Sequence, residues 1–330
     1  MAREHGLHHV RRHKTDDAAR FVTLDAYVSD VGPPHLQGDK IALIYGVGPV
    51  VRGGDDDTGL GSSEMLSAET VAKAFRQAAA DPDVRAILFR VDSPGGSYVA
   101  SDTVWREVKR ARSAGKPVVA SMGAVAASGG YFVSMAADRI IAEPGTLTGS
   151  IGVYSGKFVL DGLWSKLGVH WEQLTTGANA GMESANHDFT PEQWQRFQAS
   201  LDRVYGDFTK RVGDDRKLTP ARLDEVARGR VWTGRQAVAL GLADAVGGFD
   251  DALAATKLLA HLAPNAPVKL ELFPPERTPL DRVLKLFGEL DRTATALRVT
   301  AQIGDVIAPI LQRVEATTRA RELTVPVDLP

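Results

Sequence analysis

Between residues 39 and 142, short apolar runs alternate with helical patterns, and this alternation limits the fold more than any other feature. Lys40–Tyr45, Ala86–Val91, Pro117–Met122 and Arg139–Ala142 read as buried strands. Ala68–Ala80, Ser101–Ala114 and Ser128–Ala137 read as the helices between them, with Val104 and Val108 on one face of the second. Strands this short and apolar have no polar face to offer water, so both faces of their sheet must be covered. Helices between successive strands supply that cover and the crossover connection. The pattern predicts an α/β core with mostly parallel strands.

The rest of the chain carries clear punctuation. Thr190-Pro191-Glu192-Gln193 offers a hydroxyl cap, a proline at the first helical position and a glutamine to complete a capping box. Trp194, Phe197, Leu201, Val204, Tyr205, Phe208 and Val212 follow at helical spacing, and the stripe reads as core packing rather than as a ligand surface. Thr219-Pro220 opens another helix, Val231-Trp232-Thr233-Gly234 leads into one that stops at Gly241, and after Gly247-Gly248-Phe249-Asp250-Asp251 comes a helix through Leu259. Val268–Phe273 reads as an edge strand. Amphipathic helical patterns follow around Leu284–Leu290 and Ile303–Val314, to pack on a partner subunit or on the chain's own core. The expected division is a polar tail and linker over 1–38, an α/β domain over 39–262, and an edge strand with a helical extension over 263–330.

Composition removes several kinds of chemistry. With 330 residues, 44% of them hydrophobic, the chain can bury a large core. Its formal charge of -2 gives no electrostatic case for nucleic acid or an anionic membrane as the main partner. The absence of cysteine excludes thiolate nucleophiles, disulfides and cysteine metal sites. Histidine and carboxylates do not cluster at ligand spacing, and no phosphate-binding loop is present, so no cofactor or metal is expected. Gly53-Gly54-Asp55-Asp56-Asp57 reads as a solvated loop rather than a cation site. No apolar run approaches the roughly 18 residues of a membrane-spanning helix. The basic start, with Arg3, Arg11, Arg12 and Lys14, lacks the apolar core of a signal peptide and reads as a tail or linker remnant.

Two glycine-rich turns follow two consecutive strands: Asp92-Ser93-Pro94-Gly95-Gly96-Ser97 and Ala127-Ser128-Gly129-Gly130. Loops leaving the carboxyl ends of adjacent parallel strands converge on one crevice, so both turns are expected at one site. Glycines there let backbone N–H groups approach a ligand, where they stabilise a developing oxyanion. A serine at a helix start beside such donors suits acyl transfer. Taken alone, Ser128 fits either a nucleophile or a helix cap. A nucleophile needs a base. His5, His8, His9, His13, His35, His170, His187 and His261 all lie outside any motif at a strand end, and the other option is a buried neutral lysine.

Three segments resemble the signal peptide peptidase A family of serine proteases: SPGGS at Ser93–Ser97, AGKPVVASMGAVAASGGYFVSMAADRIIAEPGTLTGSIGV at Ala114–Val153, and GRVWTGRQAVALGLADAVGGFDDA at Gly229–Ala252. The resemblance extends over roughly residues 25–290. It implies a Clp-protease or crotonase-like fold and a Ser/Lys dyad peptidase cleaving apolar peptides such as spent signal sequences. It assigns Ser128 as nucleophile, Ser150 as the serine that hydrogen-bonds the dyad lysine, and Gly96 and Gly129 as oxyanion donors. Without it, Ser150 reads as a turn hydroxyl.

One position departs from the family pattern. Where single-domain members carry the lysine, Leu174-Thr175-Thr176-Gly177-Ala178-Asn179-Ala180-Gly181-Met182 has Ala180. Lys157, Lys166 and Lys210 are nearest in sequence, and each reads as a solvated ammonium. The family's long tandem form places the lysine in its N-terminal half and the serine in its C-terminal half. This chain resembles that C-terminal half, with Met1 near the junction. The resemblance thus implies a homo-oligomer or a lysine-bearing homologous half as partner, with the membrane anchor in the missing half and a location in the cell envelope. Two alternatives stand beside this reading. One is a catalytically silent peptide-binding scaffold. The other is a crotonase-type enzyme acting on acyl-coenzyme A, for which no matching acid pair is present.

Overall fold

The computed structural model describes residues 23–32, 35–53 and 65–275. Asp55–Asp57, the first four histidines and both C-terminal amphipathic patterns lie outside the described residues. In chain order the elements are α1 (Leu24–Val31), β1 (Asp39–Val47), β2 (Val50–Val51), β3 (Leu66–Ser67), α2 (Ala68–Ala80), β4 (Val84–Ser93), α3 (Tyr98–Ser113), β5 (Val118–Ala127), α4 (Gly129–Ser134), β6 (Arg139–Ala142) and β7 (Leu147–Gly149). They continue with α5 (Asp161–Lys166), α6 (Pro191–Arg216), α7 (Pro220–Val226), β8 (Val231–Thr233), α8 (Gly234–Leu240), β9 (Ala245–Val246), α9 (Phe249–Leu259) and β10 (Val268–Phe273).

The main sheet among the described residues has the order β10-β1-β4-β5-β6-β9, and every pairing along that path is parallel. β7 adds to β5 in parallel, and β8 to β7 antiparallel. This is a mixed α/β architecture with a mostly parallel central sheet, as in a Clp-protease-like core. Side-chain alternation divides the core between the sheet's two faces. Ile87, Phe89 and Val91 of β4 join Ala42, Ile44 and Ala120 on the face shared with α2 and α3, whereas Leu88, Ile41, Leu43 and Val119 pack with Ala252 and Leu253 of α9. Helix α2 buries Val71, Ala74, Phe75 and Ala78, the spacing of a single helical face, and Phe75 meets Phe89 edge-on at 5.1 Å. Burying such a ring is worth about 1.5–3 kcal/mol.

Local signals place the later helices. Thr190 and Gln193 close the expected capping box on α6, and Thr233 and Gln236 close one on α8, which ends at Gly241 in the left-handed region.

The structure departs from the sequence-based expectation at three places. Regular structure starts before residue 39, because Leu24–Val31 forms α1 within the segment expected to be tail. The helix expected over 128–137 is shorter, ending at Ser134, since a turn at Met135–Asp138 is needed to enter β6. The third difference is that β5 does not stop at Met122. The Asp92 carboxylate accepts from the amides of Ala124 and Val125, both at 3.1 Å, and carries the strand past Gly123. Beyond that point β5 exchanges its partner β6 for β7. Its extension delivers Ser128.

Candidate active site

Ser128 occupies the corner between β5 and α4 with φ 52° and ψ −116°, a backbone region disfavoured for side chains bearing a β-carbon. Its hydroxyl forms no capping bond to α4, so the bland reading as a helix cap does not hold. A nucleophile on a sharp strand-to-helix turn is presented to a cleft in this manner.

The two glycine turns meet there, as the parallel pairing of β4 with β5 requires. A β-carbon on Gly95 would lie 2.6 Å from Gly129 N and 2.8 Å from the Ser128 β-carbon. One on Gly129 would lie 3.0 Å from Gly96 N and 2.7 Å from Ser101 Oγ. Only glycine fits this approach. Val50 brackets Gly96 from the other side: its N–H donates to the Gly95 carbonyl at 2.9 Å, and its carbonyl accepts from Ser97 N at 2.8 Å. The N–H groups of Gly96 and Gly129 have no acceptor among the described residues. Free donors facing one corner are what an oxyanion requires.

Ser150 follows the same register. Ala127 of β5 pairs with Gly149 of β7, so the two serines leave the sheet side by side. Ser128 N donates to Gly149 O at 2.9 Å, and Ser150 N to Arg230 O at 2.7 Å. Like Ser128, Ser150 has a positive φ, 48°. Gly96, Ser128, Gly129 and Ser150 all line one cleft of about 1360 Å³.

The cleft wall corrects the sequence reading of α6. Phe197, Phe208 and Val212 are buried as expected of core. Leu201, Val204, Tyr205 and Phe208, however, line the cleft. Tyr98 borders it as well, its ring packed edge-on at 5.7 Å against Phe132, which is buried beneath. An apolar stripe looks the same in sequence whether it meets a core or a groove. The signal that was available is position, since Tyr98 stands directly after the Ser93–Ser97 turn.

No lysine or histidine side chain among the described residues is hydrogen-bonded to Ser128. Lys210 pairs with Asp214 at 2.6 Å and is exposed, and Lys166 is exposed in α5. Lys157 is not the solvated ammonium expected of it. Its Nζ donates to the carbonyls of Met182, Ser184 and His187 at 2.8, 3.0 and 2.8 Å and lies 4.2 Å from the Phe189 ring centroid. These contacts commit Lys157 Nζ to three backbone carbonyls and a ring face, and none of them involves Ser128. Ala180 is exposed and is not among the residues lining the cleft. Among the described residues, no group of three or more histidine, aspartate or glutamate side chains is placed to hold a metal ion. No helix among them is long and apolar enough to cross a membrane.

The sequence model of peptidase family S49 matches residues 110–263. The chain is 40% identical over 271 residues to Protease 4 of Salmonella typhi, covering 82% of this chain and 42% of that protein. It is 38% identical over 264 residues to the chloroplastic serine protease SPPA of Arabidopsis thaliana, covering 78% and 39%. A putative protease of Methanocaldococcus jannaschii is 31% identical over 226 residues, covering 68% of this chain and 72% of that protein. The chain thus spans about two fifths of the first two relatives and most of the third. By these matches the chain belongs to peptidase family S49.

Proposed function

We propose that the chain is a serine peptidase subunit that hydrolyses apolar peptides, with Ser128 as nucleophile and a lysine from another half or chain as general base. The observation that carries this reading is Ser128 itself: uncapped, held at φ 52°, beside the free N–H groups of Gly96 and Gly129, and touched by no basic side chain among the described residues. Ser128 Oγ attacks the scissile carbonyl carbon while its proton passes to the lysine amine. The carbonyl oxygen takes up negative charge between the two glycine N–H groups. Collapse of the intermediate expels the peptide amine, which takes that proton and leaves an acyl-serine. Water, losing a proton to the same lysine, attacks the acyl carbon, and as the bond to Ser128 Oγ breaks the acid leaves and the lysine returns its proton to Oγ. Ser150 accepts a hydrogen bond from the lysine and orients it.

The partner is a second copy of the chain or a lysine-bearing homologous half, and the site of action is the cell envelope. Tyr154, Phe158 and Leu174, exposed by 96, 87 and 92%, support an assembled state that covers them. The test is labelling with a fluorophosphonate, on the chain alone and mixed with a lysine-bearing half. Labelling at Ser128 in the mixture is the expected result, and labelling in neither condition defeats the reading. Ala180 favours a second reading, a scaffold that binds peptides without turnover. That reading requires peptide binding without cleavage even when the lysine-bearing half is present.

A further inference from the structure

Below the apolar lining of the cleft lies a set of charges that the proposed chemistry does not use. Helix α3 starts at Tyr98, directly after the Gly95–Gly96 turn, and α6 supplies Leu201, Val204, Tyr205 and Phe208 to the wall. Tyr98 turns its ring to the cleft while its hydroxyl donates to Asp207 Oδ2 on α6. Asp207 also accepts from Arg211 Nη2 at 2.9 Å, and Arg211 Nη1 bonds Asp102 on α3. Arg106 gives Asp102 a second partner at 2.8 Å. The Arg211 guanidinium lies 4.2 Å from the Trp105 ring centroid and 5.5 Å from that of Phe132, and its side chain is only 14% exposed.

Apolar surfaces alone can slide past one another. A guanidinium is a rigid fork, and when it bonds carboxylates from two helices and lies against aromatic rings, both helices are held in one relative position. The same network decides what Tyr98 offers a ligand. Burial and then the bond to Asp207 push its hydroxyl pKa up to about 12, so it stays a neutral donor committed to Asp207. The ring face is what remains for an incoming side chain.

We propose that Arg211 is a positioning residue for substrate selection: by tying Asp102 on α3 to Asp207 on α6 it fixes the width of the apolar slot between Tyr98 on α3 and Leu201 and Tyr205 on α6. That width sets the size of side chain admitted next to Ser128. The proposal rests on the reading of Ser128 as nucleophile, and the experiment separates the two.

Alkyl fluorophosphonates carrying a methyl, a hexyl or a bulky arylalkyl group are reacted with the chain in the presence of a lysine-bearing half. Rates are compared for wild type, Arg211→Met, Arg211→Lys and Tyr98→Phe. The bulkiest probe gains on the smallest by about fivefold or more in Arg211→Met. Arg211→Lys, which keeps the charge but loses the fork, falls between that variant and wild type, and Tyr98→Phe shifts the same way by less. An unchanged ratio in a folded Arg211→Met protein overturns the proposal. Should that variant fail to fold, an unchanged ratio in Tyr98→Phe overturns it. If no probe labels even the wild type, the peptidase reading falls and hydrogen exchange judges the tie by itself. Tyr98→Phe and Arg211→Lys must then speed amide exchange over residues 201–208 while leaving α9 at wild-type rates, and no change there overturns the proposal.

Discussion

Ser128 donates its backbone N–H to the carbonyl oxygen of Gly149 at 2.9 Å, so the residue after each of these, Gly129 and Ser150, enters the same cleft. This single bond couples the end of β5 to the end of β7. A residue with a strained backbone at the end of one strand is thereby tied to the strand end from which Ser150 leaves.

The strain at Ser128 is measurable. A non-glycine residue in such a region costs on the order of 1–3 kcal/mol. Ser128→Gly should raise stability by about 1 kcal/mol in urea unfolding, whereas Ser128→Ala keeps the strained backbone and should not. Both variants should lose fluorophosphonate labelling.

Gly129→Ala puts a β-carbon 2.7 Å from Ser101 Oγ and 3.0 Å from Gly96 N. Overpacking of this kind costs about 1–3 kcal/mol. Alanine keeps the Gly129 N–H but the crowding displaces it and that of Gly96, so the rate should fall toward the roughly 10²–10³ that loss of one oxyanion donor costs. Adding Ser101→Gly should recover part of the stability, read as the urea midpoint, and little of the rate, because the crowding of Gly96 persists.

The Lys157 ammonium joins the cleft wall at Gly152–Gly156 to the carbonyls that precede α6. Lys157→Met leaves three carbonyls without their charged donor, at a cost of about 1–3 kcal/mol. Limited proteolysis should then cut between residues 178 and 189 sooner than in wild type, with other cuts unchanged.

Asp102 gives the tie between α3 and α6 a definite response to acid. Burial opposes its ionisation, but hydrogen bonds from Arg106 and Arg211 outweigh burial and hold its pKa below the ordinary 3.8. A carboxylate with a depressed folded value stabilises fully above its unfolded pKa and loses that contribution as pH falls through the folded one. The stability gap between wild type and Asp102→Asn should therefore be constant above about pH 5 and close below pH 4, as followed by urea midpoints.

Features fixed by near neighbours are legible in the chain itself. Thr190 and Gln193 cap α6 with groups three residues apart, and Val71, Ala74, Phe75 and Ala78 mark one helical face. The meeting of the glycine turns is legible too, because parallel adjacent strands leave little choice of where their loops emerge. Features set by distant partners are not. The continuation of β5 past Gly123 depends on Asp92, and the fate of Lys157 depends on backbone carbonyls, which carry no sequence signature. The dual role of α6, part core and part cleft wall, is decided by what stands opposite it, which helical spacing does not encode.

The edge of the sheet imposes an order on synthesis. β1 lies between β4 and β10, and Asp39 is a direct neighbour of Val268. A ribosome extrudes β1 early and β10 only after all the other described elements have emerged. Until then one flank of β1 keeps its amides and carbonyls unpaired, open to any stray strand. Nascent chains halted before residue 268 should accordingly depend on chaperones, and release from them should follow the appearance of β10.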